Sequence, residues 1–157
     1  METIVKVKRI CIENLKNVGH GEILVATDFE TLTQADVVGL YGQNGSGKTT
    51  IVNAFEILKG LVSSRVSVRK LPENTRQLIH VEHERAKLTF EFLIQNPIGT
   101  FVVEYYVELA RGEERMYAAV EQLSYRENTP EAVAQILVKK GKELQICTQS
   151  LADLSEQ

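Results

Sequence analysis

The sequence predicts an α/β fold: a mixed sheet built around one strand–loop–helix unit, with an antiparallel β-meander appended. Three observations predict it. A short apolar run, Asp36-Val37-Val38-Gly39-Leu40-Tyr41, enters the glycine-rich segment Gly42-Gln43-Asn44-Gly45-Ser46-Gly47-Lys48-Thr49-Thr50, and helical spacing follows. A β-branched run at Ile4 to Glu13 precedes a second strand-like run at Glu22 to Ala26. From Ala86 onward, strand-like runs alternate with short turns.

The chain has 157 residues, the size of one ordinary domain with a real core. The expected organisation is a single partial domain over 1–157. Residues 1–61 hold the strand pair, glycine-rich loop and helix, and 62–85 form an irregular connector. Residues 86–149 form the meander and a hairpin, and 150–157 begin another helix.

Ile4 to Glu13 alternates, with Lys6, Lys8, Ile10 and Ile12 against Val5, Val7, Arg9 and Cys11. This predicts a strand. Asn14 to Gly21 carries turn residues and predicts a loop. The strand at Glu22 to Ala26 should run antiparallel to the first. Thr27 to Ala35 is a polar connection to the apolar run at 36–41, which reads as a buried strand. Beyond the loop, apolar residues at 51, 54, 55, 58 and 61 fall on one helical face, with Gly60 near the end.

Residues 62–85 show no clean period, and Pro72 interrupts them; a short helix is expected near Thr75 to His80. Arg65, Arg69, Lys70, Arg76, Arg85 and Lys87 outnumber Glu73, Glu82 and Glu84. That balance reads as a solvated face, with contact to nucleic acid as the second reading. Lys87 to Gln95, Thr100 to Ala110 and Arg115 to Arg126 predict three meander strands, turning at Asn96-Pro97-Ile98-Gly99 and Arg111-Gly112-Glu113. Tyr105, Tyr106, Tyr117 and Tyr125 suit strand positions, with base stacking as the alternative. Thr129-Pro130-Glu131 predicts one helical turn, followed by a hairpin about Lys140-Gly141.

Net charge is −3, so no global basic field advertises nucleic acid. Two cysteines far apart, Cys11 and Cys147, define no disulfide framework and fit a reduced cytoplasmic setting. Cys11 reads as a small core residue. The N-terminus carries Glu2, Lys6, Lys8 and Arg9, unlike a signal peptide, and no apolar stretch approaches membrane-spanning length.

The chemistry concentrates at 42–50, which fills every fixed position of G-x-x-x-x-G-K-[ST]. Glycines let the backbone wrap so that successive N–H groups converge on an anion. In that pattern Lys48 reaches the β- and γ-phosphates of a nucleotide, and the Thr49 hydroxyl is placed to ligate Mg²⁺. The following helix turns its positive end to the same charge. The competing reading is a glycine-rich turn that only joins strand to helix. Hydrolysis also needs an apolar strand ending in Asp or Glu. Val102-Val103-Glu104 and Tyr106-Val107-Glu108 are meander alternation, and Glu56 and Asp153 lack such a strand. No Asn-Lys-x-Asp supports guanine. The expectation is therefore the N-terminal part of a larger ATPase, whose hydrolytic carboxylates lie elsewhere. The alternative is a non-catalytic nucleotide-sensing or interaction module. A small-molecule kinase is a third class, but no acceptor-site pattern points to it.

With Ile12-Glu13-Asn14-Leu15-Lys16-Asn17 ahead of Gly39-Leu40-Tyr41 and the loop 42–50, the chain resembles the N-terminal lobe of ATP-binding-cassette-like ATPases. These include structural-maintenance-of-chromosomes, RecF-like and overcoming-lysogeny-defect-like proteins, and bacterial AAA family ATPases of the anti-phage type. The resemblance covers about residues 4 to 60 well and 86 to 126 loosely. It implies ATP rather than GTP, Mg²⁺, and a site completed by the rest of the ATPase or a second subunit. It implies DNA- or RNA-related work in the parent protein. It also implies that Lys16 and Asn17 lie near the nucleotide, or else form a solvated turn. A glutamine on Mg²⁺ is expected after the meander, with Gln135, Gln145 and Gln149 unranked. The signature motif, acidic strand and switch histidine of such proteins have no match in this sequence.

Overall fold

A computed structural model of the chain describes residues 3–25, 37–63, 75–113, 116–129, 134–140 and 143–149. Seven strands form one sheet: β1 (Ile4–Leu15), β2 (Val18–Leu24), β3 (Arg85–Asn96), β4 (Gly99–Arg111), β5 (Met116–Glu127), β6 (Ala134–Lys140) and β7 (Glu143–Gln149). Their spatial order is β2-β1-β3-β4-β5-β6-β7, and every neighbouring pair is antiparallel. Among the described residues one helix, α1 (Lys48–Val62), lies on one face, and a 3-10 turn spans Thr75–Leu78.

The expected mixed sheet is thus corrected among the described residues. Residues 37–43 take no strand pairing, and the run is not buried: Val37 is 85% exposed and Tyr41 95%. An apolar run makes a buried strand only where neighbours pair its backbone and cover both faces. Among the described residues nothing pairs or covers this run, which enters the loop as an irregular, exposed segment.

The first hairpin is tighter than its sequence suggests. Leu15 pairs with Val18, leaving only Lys16 and Asn17 as the turn, and β2 begins at Val18 rather than Glu22. Asn14 and Lys16 take positive φ, 55° and 52°, which reverses the chain within two residues. The remaining strands begin and end within a residue or two of their expected bounds, and β6 pairs with β7 up to Lys140 and Glu143. The helical turn expected at Thr129-Pro130-Glu131 and the helix expected from 150 fall largely outside the described residues.

A β-bulge explains the loose alternation of β1. Val7 pairs with Phe92 and Arg9 with Glu91, so Lys8 is the extra residue. Before it, Val5 and Val7 share the α1 side; after it, Ile10 and Ile12 take over. Lys8 and Arg9 both reach the opposite face, where they converge on Glu91.

The core lies between the sheet and α1. Cross-strand neighbours Ile12–Leu88–Val107 and Ile10–Phe90–Tyr105 form two buried rows, with Ala86 and Leu109 beside them. Against them α1 sets Thr50, Ala54 and Ile57, spaced four and three apart on one helical face. Phe55 meets Phe90 with ring centroids 5.5 Å apart, a tilted aromatic contact. The helix runs through Gly60 and ends where the Ser63 N–H and hydroxyl both donate to Lys59 O, at 3.0 and 2.5 Å.

The opposite face carries a charged network beside a small buried apolar patch of Leu93 and Val102 with Val25. Glu91, 8% exposed, accepts from Lys8 Nζ at 2.5 Å and Arg9 Nε at 3.1 Å. Arg9 also reaches Glu22 and Glu104, Lys87 pairs with Glu13, and Arg85 pairs with Glu108. Burial lifts the Glu104 carboxyl above its ordinary range, with Arg9 opposing and Glu91 adding to the shift. Cys11 projects to this face and is only partly buried, which corrects its reading as a core residue. The cause is register: its neighbours Ile10 and Ile12 hold the inward positions of a period-2 strand.

Candidate functional site

The glycine-rich loop sits where α1 begins, at the β1–β2 end of the sheet. Gly47 precedes the helix with φ 90°, in the left-handed region, and no side chain caps the first turn. Thr50 and Ile51 N–H groups both donate to Gly47 O, at 2.9 and 3.2 Å. Gly45 is also left-handed, φ 86°. Two such residues, separated by Ser46, curl the chain so that its amides turn toward one side. A Cβ on Gly47 would also stand 2.8 Å from Val18 Cγ2, so the β1–β2 hairpin packs directly on this glycine.

Within the loop, Ser46 N–H donates to Gln43 O at 3.2 Å. The N–H groups of Gly45, Gly47, Lys48 and Thr49 donate to no protein group among the described residues. Such amides seek an acceptor, and an anion at a helix N-terminus supplies one. Lys48 Nζ lies against the same loop, donating to Gly42 O at 2.5 Å and Gln43 O at 2.6 Å. Ser46 Oγ is 3.4 Å from it. The ammonium therefore stands at the nest on neutral carbonyls, which an anionic oxygen outcompetes as an acceptor. Thr49 is exposed, and its hydroxyl makes no bond to a described residue, so it is open to a cation. This donor set suits a polyphosphate with a hard divalent ion.

Thr50 differs from the rest of the segment. It is 1% exposed, and its hydroxyl donates to Asn17 Oδ1 at 3.0 Å. Asn17 Nδ2 in turn donates to Gly45 O at 2.5 Å. One side chain thus ties the β1–β2 turn to both the loop and the helix. Lys16 Nζ donates to Asn53 Oδ1 at 2.8 Å, one turn further along α1, and Asn53 Nδ2 donates to Glu56. The structure brings Asn17 against the loop from behind and sets Lys16 along the helix. A groove of about 410 Å³ separates this loop from β2, lined by residues including Asn17, Gly19, His20, Gly45, Ser46 and Ile51.

A family comparison matches this chain to the AAA domain over residues 9–156. The chain belongs to the AAA domain family. No curated protein matches it. The AAA assignment makes the chain a nucleotide-binding module of the ATPase type, and such domains generally bind ATP with Mg²⁺. No helix among the described residues of this AAA domain is long and apolar enough to cross a membrane.

Sequence reasoning missed Arg111, read only as a turn residue. Its guanidinium donates to Ile79 O and His80 O, both at 2.9 Å, and to His83 O at 3.0 Å. The segment it fastens bonds back to the β1–β2 turn: Lys16 N–H donates to Leu78 O at 2.5 Å and His80 N–H to Asn14 O at 2.8 Å. Arg111 is thereby linked through the connector to the turn that clamps the loop of the AAA domain. A single Arg beside a glycine carries no sequence signal for this; only the return of residues 79–83 to the ends of β1 and β4 shows it.

Proposed function

We propose that this AAA domain is the ATP-binding lobe of an ABC/SMC-like ATPase. In this reading the amides of residues 44–49 hold the β- and γ-phosphates, and Gly42, Gln43 and Thr50 keep the loop in shape. Lys48 is the residue in contact with the transferred group: its ammonium moves from the Gly42 and Gln43 carbonyls to phosphate oxygens. The Thr49 hydroxyl would hold Mg²⁺, which would supply neutralisation of phosphate charge. Asn17 positions the loop, and Lys16, in the same turn and held to Asn53 of α1, is the further residue that the family resemblance puts near the nucleotide. The observation that carries this is the set of unpartnered amides at Gly45, Gly47, Lys48 and Thr49 beside the Lys48 ammonium.

In this reading the acidic groups that hydrolysis requires come from the rest of the ATPase or a second subunit, since no apolar strand-like run of the sequence ends in a suitable carboxylate. The exposed apolar run at 37–41 supports that reading. With Val5, Val7, Ile23, Val25 and Phe55, Val38 and Leu40 line an apolar groove of about 400 Å³. Added core strands would pair this run and cover it, as a parallel sheet needs. Coupling of nucleotide binding to dimerisation, work on DNA or RNA in repair or phage defence, and a cytoplasmic site of action follow the family resemblance.

Calorimetry with Mg-ATP tests the binding step. The chain should bind Mg-ATP, and Lys48→Ala should weaken binding at least about 100-fold, roughly the loss of two charge-assisted hydrogen bonds. Turnover by residues 1–157 alone should be negligible; turnover at a rate typical of ATPases, about 1 s⁻¹ or more, would contradict the missing-carboxylate reading.

A further inference from the structure

We propose that Cys11, Glu13 and His20 form a binding site for a divalent transition metal of the zinc class, on the face of the sheet opposite α1. The site is separate from the glycine-rich loop and does not rest on the nucleotide reading.

Strand geometry assembles the three residues. Cys11 and Glu13 stand two apart on β1 and so project to the same side. The β1–β2 register sets His20 opposite Glu13 and Glu22 opposite Cys11. A thiol sulfur, a carboxylate oxygen and an imidazole nitrogen all fall within 4.8 Å of one another. Zinc holds such ligands at about 2.0–2.3 Å in a tetrahedron, which sets ligand atoms roughly 3.3–3.8 Å apart. Side-chain rotations of about 1 Å on paired, hydrogen-bonded strands close that gap.

The donor set chooses the class of metal. Sulfur with imidazole selects zinc-like ions over Mg²⁺ or Ca²⁺, which take oxygen. Three protein ligands leave a fourth position, and exposed His20 puts it toward solvent. The local charge also suits a cation, with Glu13 as a ligand and Glu22 across from Cys11. The competitor is Lys87, whose Nζ lies 3.1 Å from Glu13 Oε2. That pair is largely solvated, with 44% and 37% of the two side chains exposed, and such pairs are worth little. A metal ion therefore displaces it. Bound there, the ion cross-links β1 to β2 just behind the turn that carries Lys16 and Asn17.

The test is a Co²⁺ titration of the 157-residue chain without nucleotide, read by absorption, followed by displacement with Zn²⁺. The expected result is four-coordinate cobalt bands with a thiolate-to-cobalt charge-transfer band, abolished by Zn²⁺. Cys147→Ser should keep the charge-transfer band, and Cys11→Ser should lose it. His20→Ala, a substitution at an exposed position, should weaken binding by at least about 10-fold. Lys87→Gln should bind at least as tightly as the wild type. Circular dichroism checks that each variant is folded. The proposal is overturned if the wild type gives no charge-transfer band, if the band follows Cys147 instead of Cys11, or if His20→Ala binds equally well.

Discussion

Asn17→Ala should damage this protein more than an exposed turn residue has any right to. The side chain accepts from the Thr50 hydroxyl at 3.0 Å and donates to Gly45 O at 2.5 Å. Thr50 is 1% exposed, so its hydroxyl loses its one partner in a largely buried setting when the Asn17 amide is removed. A buried donor left without a partner costs about 1–3 kcal/mol. The Gly45 bond is exposed and contributes roughly 0.5–1 kcal/mol. A helical threonine can bond back to the carbonyl four residues earlier, which recovers part of the loss. The expected destabilisation is therefore about 2 kcal/mol, a large share of the roughly 5–15 kcal/mol that holds a domain together. Thr50→Val removes the donor and keeps the shape. On the Asn17→Ala background it should return about 1 kcal/mol, because both polar partners are then gone. Urea unfolding of the four proteins measures this. If the two substitutions add within about 0.5 kcal/mol, Asn17 and Thr50 are not coupled and the clamp does not exist. The same set should be titrated with Mg-ATP, where Asn17→Ala weakens binding without removing any amide of the loop.

Three further outcomes follow from particular contacts. Gly47→Ala forces a Cβ onto φ 90° and to within 2.8 Å of Val18 Cγ2, costing about 2 kcal/mol or more by urea unfolding, and Val18→Ala should recover part of it. Arg111→Ala removes donors to Ile79, His80 and His83 carbonyls, so hydrogen exchange at the His80 amide should accelerate. Arg111→Lys should not rescue it, since an ammonium cannot span three carbonyls with a planar fork. Glu104 holds its proton more tightly when folded than unfolded, so its own contribution to stability should grow as pH falls from neutral toward the ordinary carboxylate value and then level off. Glu104→Gln should flatten that part of the urea-midpoint profile; an unchanged profile would show that its burial has no thermodynamic weight.

Strand content was legible because the meander residues carry a period of two between short turns. Glu91, Lys87 and Thr89 alternate with Phe90, Leu88 and Ala86, and the structure sends one set to α1 and the other to the open face. The bulge at Lys8 was not legible as such. It leaves only a switch in which parity is apolar, and a switch of parity in β-branched sequence resembles noise until a partner strand fixes the register. The run at 36–41 shows the opposite failure. Its composition is that of a buried strand, but burial depends on neighbours that local sequence cannot report, and Val37 and Tyr41 stay in solvent. At the site, the loop announces itself because its glycines and lysine are required one by one. The family resemblance left Asn17 either near the nucleotide or in a solvated turn; its bonds to Gly45 and Thr50 depend on the hairpin closing at Leu15 and Val18, tighter than the turn composition suggested.

The most direct measurement of the central claim is isothermal calorimetry of Mg-ATP against the wild-type chain and Lys48→Ala, both shown to be folded. Heat from the wild type at one site, lost or weakened at least about 100-fold in the variant, is the predicted result. No heat from the folded wild type, or equal binding by both proteins, would contradict a phosphate-holding role for the amides around Gly47 and the ammonium of Lys48.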